Sequence, residues 1–344
     1  FWWASTHAGY PMTPRPPYTD FDDSPRVLFV RFAPWMARTN NHPHDLMWPV
    51  SMLYGRAIAR QRGWRAAIID LHVEALDHGE LVQRIHEFGP DLLLLDTMTP
   101  TMRLARHVAE SVSASRPATR IWGIGQHATE QSDDLLYRGS AYHGVLLGEY
   151  ERMLPLLLDA RGVGQVHGTA TLGEDGEIKV LGGRQKIEDL DALPELDPRG
   201  LHLDRYGMRS VATRRFGHTR WGFVMTSRGC PFLCTFCSPT LRQSYGRGFR
   251  TQSAIAVVDD MERLVRDHQV DAIYTIDDIF SFDQERVREI CRELIRRKVP
   301  LQWVIQTRPD MVDPETLRLL KLAGCAGVKM GIESGVDRIL KLIK

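Results

Sequence analysis

Apolar runs of strand length alternate with amphipathic segments of helix length from Arg26 onward, and this alternation constrains the fold more than any other feature. The runs are Val27–Val30, Ala66–Ile69, Leu92–Leu95, Ile121–Ile124 and Gly144–Leu147. The helix-length segments are Met47–Arg62, Glu80–Phe88, Met102–Ala114, Asp133–Tyr137 and Glu151–Leu158. Nearly continuous apolar strands separated by helices predict a parallel sheet covered on both faces. Five such units predict an α/β domain over 26–161, a Rossmann-like (flavodoxin-like) doubly wound parallel sheet. Ligands of such sheets bind beyond the carboxyl ends of the strands.

A second series starts at Trp221. Its strands are Phe223–Met225, Ala272–Ile276, Trp303–Ile305 and Gly327–Met330, with helices Ile255–Arg266, Glu285–Arg297, Glu315–Leu322 and Val336–Ile343. The pattern predicts a partial β/α barrel over 221–344, with its chemistry at the carboxyl ends of the strands. The series stops at Lys344 after four strands, which reads as a truncated barrel. Residues 1–25 carry prolines at 11, 14, 16, 17 and 25 and read as an extended arm, with Trp2 and Trp3 packing on a neighbouring domain. Residues 162–220 read as a linker. A hairpin, Val166–Thr171 and Glu177–Leu181, turns there at Glu174-Asp175-Gly176. The basic run Arg214, Arg215 and Arg220 reads as a solvated face.

The segments after the first-series strands fall on one sheet edge. They are the loop Phe32 to Trp48 with Asn40-Asn41-His42-Pro43-His44-Asp45, then Asp96-Thr97-Met98-Thr99-Pro100-Thr101, Gly125-Gln126-His127-Ala128-Thr129 and Gly148-Glu149-Tyr150-Glu151. Small and hydroxyl residues there let backbone amides approach a ligand. Neither G-x-G-x-x-G after the first strand nor G-x4-G-K-[ST] occurs, so dinucleotides and nucleoside triphosphates lack support.

Cys230, Cys234 and Cys237 stand at spacing C-x3-C-x2-C just after an apolar run. A zinc site ordinarily wants four protein ligands in two pairs, and no second pair exists. Five cysteines, an odd number in a long chain, argue against a disulfide framework. Closely spaced thiolates suit an iron–sulfur cluster, and three of them on four irons leave one iron open to a substrate or cofactor. Cys291 and Cys325 are isolated and read as core residues.

The segment Thr226-Ser227-Arg228-Gly229-Cys230-Pro231-Phe232-Leu233-Cys234-Thr235-Phe236-Cys237 resembles the cluster-binding loop of radical S-adenosylmethionine (SAM) enzymes, C-x3-C-x-aromatic-C, with Phe236 in the aromatic place. The resemblance implies a 4Fe–4S cluster on Cys230, Cys234 and Cys237, with SAM chelating the open iron. The reduced cluster would cleave SAM to methionine and a 5′-deoxyadenosyl radical. It further implies that Asp277 and Asp278 meet the SAM ammonium, where a carboxylate suits a cation. Arg308 would pair with the SAM carboxylate, Glu333 and Ser334 would hold the ribose hydroxyls, and Phe236 would pack near the adenine. Without a ligand, Asp277 reads as a turn cap, Glu333 as a helix N-terminal carboxylate and Arg308 as an ion-pair partner.

The strand-end loops are similar to the cobalamin-binding domain that precedes the radical SAM domain in one subgroup of that superfamily. There the third-strand loop often reads Met-Thr-Pro-Thr, the fourth Gly-Gly-Pro-His-Ala-Thr and the fifth Gly-Glu-Gly-Glu. The resemblance implies cobalamin contacts at Thr97, Met98, Thr99, Pro100, Gly125, Gln126, His127, Gly148, Glu149, Tyr150 and Glu151. Tyr150 departs from the glycine of that motif and is expected to narrow the slot for the nucleotide tail. The Asp-x-His-x-x-Gly segment that supplies a cobalt-ligating histidine is missing after the first strand. Asp70-Leu71-His72 follows the second strand, with Ala75 in place of glycine, and reads as a polar strand end. His42 and His44 lack the spacing and read as loop histidines. The cobalt's lower face is therefore expected to lack a histidine.

The resemblance implies a cobalamin-dependent radical SAM C-methyltransferase acting on a small molecule or peptide. It also implies an external electron donor such as flavodoxin or ferredoxin. Cyclisation or ring rearrangement, and polar methyl transfer to an sp2 carbon, stay open within the family. A cobalamin and iron–sulfur redox sensor stays open outside it, as does a zinc-binding structural protein. Composition adds exclusions only. A net charge of +1 gives no argument for nucleic acid or an acidic membrane surface. No apolar run approaches the roughly 20 residues of a spanning helix. The expected compartment is the cytoplasm, which suits reduced thiols.

Overall fold

The computed structural model describes residues 23–33, 45–208, 219–237 and 248–344. Trp2, Trp3, His42, His44, Arg214 and Arg215 lie outside the described residues, as does nearly all of the proline-rich arm.

Strands β1 (Arg26–Arg31), β2 (Arg65–Asp70), β3 (Leu92–Asp96), β4 (Arg120–Ile124) and β5 (Gly144–Leu146) pair in parallel in the order β2-β1-β3-β4-β5. This is the flavodoxin-like order, and the chain reverses direction across the sheet between β1 and β3, the usual place for a ligand crevice. Leu92 to Leu95 are fully buried because helices cover both faces of β3. Helix α1 (Val50–Gln61) lies on one face; α2 (His78–Phe88) and α3 (Met102–Ser115) pack on the other. Helix α2 shows why its sequence is helical. Asp77 and Glu80 form a reciprocal capping box at its start, and Gly89 ends it in the left-handed region.

Two expectations about this half are corrected. The segment Asp133–Tyr137 is not a helix. Instead α4 (Gln126–Glu130) forms directly off β4, because Gly125, at φ 97°, turns the chain at once, and Thr97 Oγ1 accepts the Ala128 amide. Leu135 and Leu136 are buried beyond a single 3-10 turn at Ser132–Asp134. The segment from Glu151 begins as a 3-10 turn, Tyr150–Arg152, and becomes α5 (Leu154–Asp159) with Pro155 in its first turn.

The hairpin beyond residue 162 is part of this sheet. Strands β6 (Thr169–Leu172) and β7 (Ile178–Leu181) add to β5 in antiparallel fashion and give seven strands in all. The segment that follows is packed as well. Leu190, Leu196, Tyr206 and Met208 are buried in the core of the second half.

That second half has β8 (Trp221–Val224), β11 (Ala272–Thr275), β12 (Gln302–Thr307) and β13 (Cys325–Met330) in one parallel sheet, ordered β13-β12-β11-β8. Between β8 and β11 runs a short antiparallel ladder, β9 (Ser227–Arg228) with β10 (Arg250–Thr251). Helices α6 (Ala254–His268), α7 (Gln284–Arg297) and α8 (Pro314–Leu322) follow, and α9 (Asp337–Ile343) comes after β13. Ser253, Asp283 and Asp313 each cap a helix by accepting the amide three residues on.

The two halves share a core. Trp48, Leu53 and Tyr54 pack with Phe223, Ile273 and Tyr274, and the Trp48 and Phe223 rings meet edge to face at 5.8 Å. Among the described residues, no helix is long and apolar enough to cross a membrane.

Candidate functional site

A cavity of about 340 Å³ lies where the carboxyl ends of the two sheets meet. Arg31, Asp96, Met98, Gly125 and Gly148 line it from the first sheet, and Met225, Gly229, Ile276 and Asp278 from the second. Two glycines allow the backbone to line it. A Cβ on Gly125 would stand 2.3 Å from Asp96 Oδ1, and one on Gly148 would stand 2.4 Å from the Gln185 carbonyl oxygen. Both have positive φ, which glycine adopts freely. Asp96 ends β3 at the cavity wall. Burial pushes its carboxyl up to about 6, against the pull of Arg31.

Of the residues singled out in the first domain, Met98, Gly125, Gln126, Gly148, Glu149, Tyr150 and Glu151 line this cavity. Thr97, Thr99, Pro100 and His127 do not. Thr97 is a buried brace that donates to the Ile124 carbonyl and accepts from the Ala128 amide, both at 3.0 Å. His127 is buried between Thr99 Oγ1, 3.2 Å from Nδ1, and Asp134, 3.0 Å from Nε2. Thr99 and Pro100 are exposed.

Tyr150 fills volume beside α1. Its hydroxyl donates to the Ser51 carbonyl at 2.7 Å, and its ring lies 6.3 Å from that of Phe29. Gly55 makes room for it, since a Cβ there would come within 2.7 Å of the hydroxyl. Asp70 and His72 form a polar strand end and are not among the residues that line the cavity. Asp70 accepts from Tyr206 at 2.8 Å and from Arg31 at 3.3 Å, while burial pushes the His72 imidazole down to about 4.

Glu149 and Glu151 face two partners that the sequence reading did not connect to them. Arg228 lies 3.3 Å from Glu149 and 2.8 Å from Glu151, and all three side chains are at most 5% exposed. Arg250 donates to both Glu149 oxygens, at 3.0 and 2.5 Å. Burial pushes the Glu149 carboxyl up, but the two arginines and the Ile187 amide outweigh it and hold the carboxyl below its usual range.

The three cysteines follow β9 as free, half-buried thiols. Burial raises the Cys230 thiol. Arg308 sits against this loop, with Nη1 3.4 Å from Cys234 Sγ and the guanidinium 3.9 Å from the Phe232 ring centre. It also pairs with Asp310. Among the described residues, no three His, Cys, Asp or Glu side chains converge on one point to hold a single ion. A four-iron cluster takes each thiolate on a separate iron, and three cysteines spaced this closely along the chain suit it as a donor set. Cys291 is a fully buried core residue, and burial pushes the thiols of Cys291 and Cys325 up to about 12.

Asp277, read from the resemblance as a SAM contact, does not line the cavity. It is fully buried and accepts from Thr226 Oγ1 at 3.1 Å and Ser227 Oγ at 2.6 Å. The hydroxyls at the head of the cysteine loop draw the carboxylate inward. Asp278, the next residue, lines the cavity, and its carboxyl is raised by burial and by Asp277. Glu333 is exposed at φ 65°, and Ser334 Oγ accepts the Val336 amide at 3.1 Å. Phe236 is half exposed. Arg31, Asp96, Arg228 and Arg250 were missed. Arg228 was legible as part of the Ser-Arg-Gly flank of the cysteines, whereas its acidic partners lie some 80 residues earlier.

Residues 43–158 match the B12 binding domain family, and residues 224–344 match the radical SAM superfamily. An uncharacterized methyltransferase of Pyrococcus horikoshii is 27% identical over 298 residues, 86% of this chain and 62% of the relative. An anaerobic magnesium-protoporphyrin IX monomethyl ester cyclase of Cereibacter sphaeroides is 28% identical over 281 residues, 78% of this chain and 44% of the relative. The chain thus spans about two-fifths to three-fifths of the length of these relatives. The structure of TsrM from Kitasatospora setae, a radical SAM methyltransferase with cobalamin and a 4Fe–4S cluster bound, superposes with a TM-score of 0.71 at 19% identity. The match covers 92% of this chain and 62% of that one, and at this identity it speaks for the fold. The chain thus carries a B12-binding domain followed by a radical SAM domain, and the strand ends of both halves line one cavity.

Proposed function

We propose that the protein is a cobalamin-dependent radical SAM methyltransferase acting on a carbon of a small molecule or peptide. The observation that carries this reading is the single cavity lined by the strand ends of both halves. It gives a substrate access to two cofactors at once. Bound there, the cofactors supply a transferable methyl group and a carbon-centred radical.

The side chains of this chain position and enclose. Cys230, Cys234 and Cys237 hold the 4Fe–4S cluster. Asp278, raised by burial and facing the cavity, meets the SAM ammonium. Arg308 stands beside Cys234, and Phe236, Glu333 and Ser334 would border the remainder of SAM. Met98, Gly125, Gln126 and Gly148 border cobalamin. Gly125 and Gly148 leave backbone rather than side chain against the cofactor. An external electron donor such as flavodoxin or ferredoxin would supply the electron that such a cluster needs.

The similarity to a magnesium-protoporphyrin ester cyclase favours one second reading, cobalamin-dependent ring closure. Anaerobic reconstitution with iron, sulfide and hydroxocobalamin tests the proposal. About four irons and one cobalamin per chain are expected. Added SAM should yield 5′-deoxyadenosine together with methyl transfer to an accepted substrate. Iron uptake without cobalamin overturns the assignment of the first domain. Cobalamin and iron without consumption of SAM favours a redox sensor.

A further inference from the structure

The acidic pair after β5 makes two sets of contacts. Glu149 and Glu151 line the cavity. They also hold the strands that flank the cysteine segment in sequence. Arg228 on β9, two residues before Cys230, reaches Glu149 at 3.3 Å and Glu151 at 2.8 Å. Arg250 on β10, opposite Arg228 in the ladder, reaches Glu149 at 2.5 Å. Ser51, at the start of α1, donates to Glu151 at 3.0 Å.

Buried charge pairs of this kind cost desolvation and are weak evidence for a stability role. Their geometry is nonetheless specific, because a guanidinium fork holds a carboxylate in one orientation. A ligand that fixes the loop 148–151 therefore also fixes β9 and the start of the cysteine segment. A group that fixes the cysteine segment fixes the loop in turn.

We propose that Arg228, with Glu149 and Glu151, is a positioning clamp that thermodynamically couples the cobalamin cavity to the cluster loop. The inference rests on the cofactor reading above and adds a linkage between the two sites. Linkage is reciprocal. If the assembled cluster tightens cobalamin binding by some factor, cobalamin stabilises the assembled cluster by the same factor. The clamp exchanges no proton or electron and touches no reacting atom. Its effect is on the relative placement of the two sites.

The test titrates hydroxocobalamin, anaerobically, into the full chain with and without a reconstituted cluster. Wild type, Glu151→Gln and Arg228→Lys are compared. In the wild type the cluster-bearing form is expected to bind about 5-fold to 150-fold more tightly, the ordinary range of coupling between sites. In both variants the ratio should fall toward one while each form still binds. Hydrogen exchange of residues 227–237 gives a second readout without any cluster. Hydroxocobalamin should slow it in the wild type and leave it unchanged in Glu151→Gln.

An unaltered ratio in the variants overturns the clamp, as does a wild-type ratio of one with both cofactors bound. Absence of cobalamin uptake in every form overturns the cofactor reading itself. If Arg228→Lys fails to fold, Ser51→Ala, which removes the hydroxyl contact to Glu151 at the cavity wall, must reduce the ratio for the clamp to stand.

Discussion

Ser227 Oγ donates to Asp277 Oδ1 across 2.6 Å, tying the head of the cysteine loop to the end of β11 inside the core. Thr226 Oγ1 binds the same oxygen at 3.1 Å, and the buried Arg286 holds the Thr226 and Gln252 carbonyls at 2.9 and 2.7 Å. Asp277→Ala strands two buried hydroxyls and removes one of the countercharges of Arg286, leaving Asp283, Asp191 and Glu289. The expected cost is about 2–4 kcal/mol, from two buried hydroxyls left without an acceptor. Urea denaturation midpoints check it. Asp277→Asn, which keeps an acceptor, should lose less.

Gly125 tests how close the cavity wall must run. At φ 97°, with a Cβ position 2.3 Å from Asp96 Oδ1 and 3.0 Å from the Thr97 carbonyl oxygen, Gly125→Ala must displace both. The expected loss of stability is about 1–3 kcal/mol. Hydroxocobalamin affinity should fall about tenfold, or roughly 1.4 kcal/mol. Gly139→Ala is the control. Its φ is 85°, but nothing stands within 4 Å of a Cβ there, so strain is expected without loss of cobalamin affinity. Equilibrium titration of the two variants separates strain from steric displacement.

Arg308 places a cation 3.4 Å from Cys234 Sγ. A reduced cluster carries one more negative charge, which a donor to a ligand sulfur stabilises. Arg308→Gln should therefore make the midpoint potential more negative, on the order of tens of millivolts. An anaerobic redox titration followed by electron paramagnetic resonance measures this. An unchanged potential would assign the guanidinium to Asp310 alone.

His72 gives the fold an acid sensitivity of defined sign. Burial depresses its imidazole to about 4, below the unfolded value of about 6.5. Below pH 6.5 the unfolded chain takes up the proton first, so the stability contribution is present above that pH and is lost as pH falls toward 4. Between pH 7 and pH 5 the loss should be about 2 kcal/mol. His72→Asn should flatten this part of the profile, measured as urea midpoints across that interval.

Both βα series and the cysteine trio were legible from the sequence, because strand and helix periodicity and ligand spacing are local properties. Met98, Gly125, Gln126 and Gly148 were legible as strand-end positions, since topology alone puts such loops on one edge. Asp133–Tyr137 misled because its composition suits a helix, while the turn at Gly125 and the burial of Leu135 and Leu136 decided otherwise.

The sequence alone determined a parallel sheet followed by a partial barrel, the three thiols and the set of strand-end loops that contribute to the cavity. Tertiary structure decided where individual carboxylates point. Asp277 turns inward to two hydroxyls while Asp278 faces the cavity, and Glu149 and Glu151 hold arginines more than 75 residues away. Periodicity assigns a residue to a face of its own element. The partner of a buried charge is set by whatever neighbour the fold brings near, because a buried charge must be compensated where it lies.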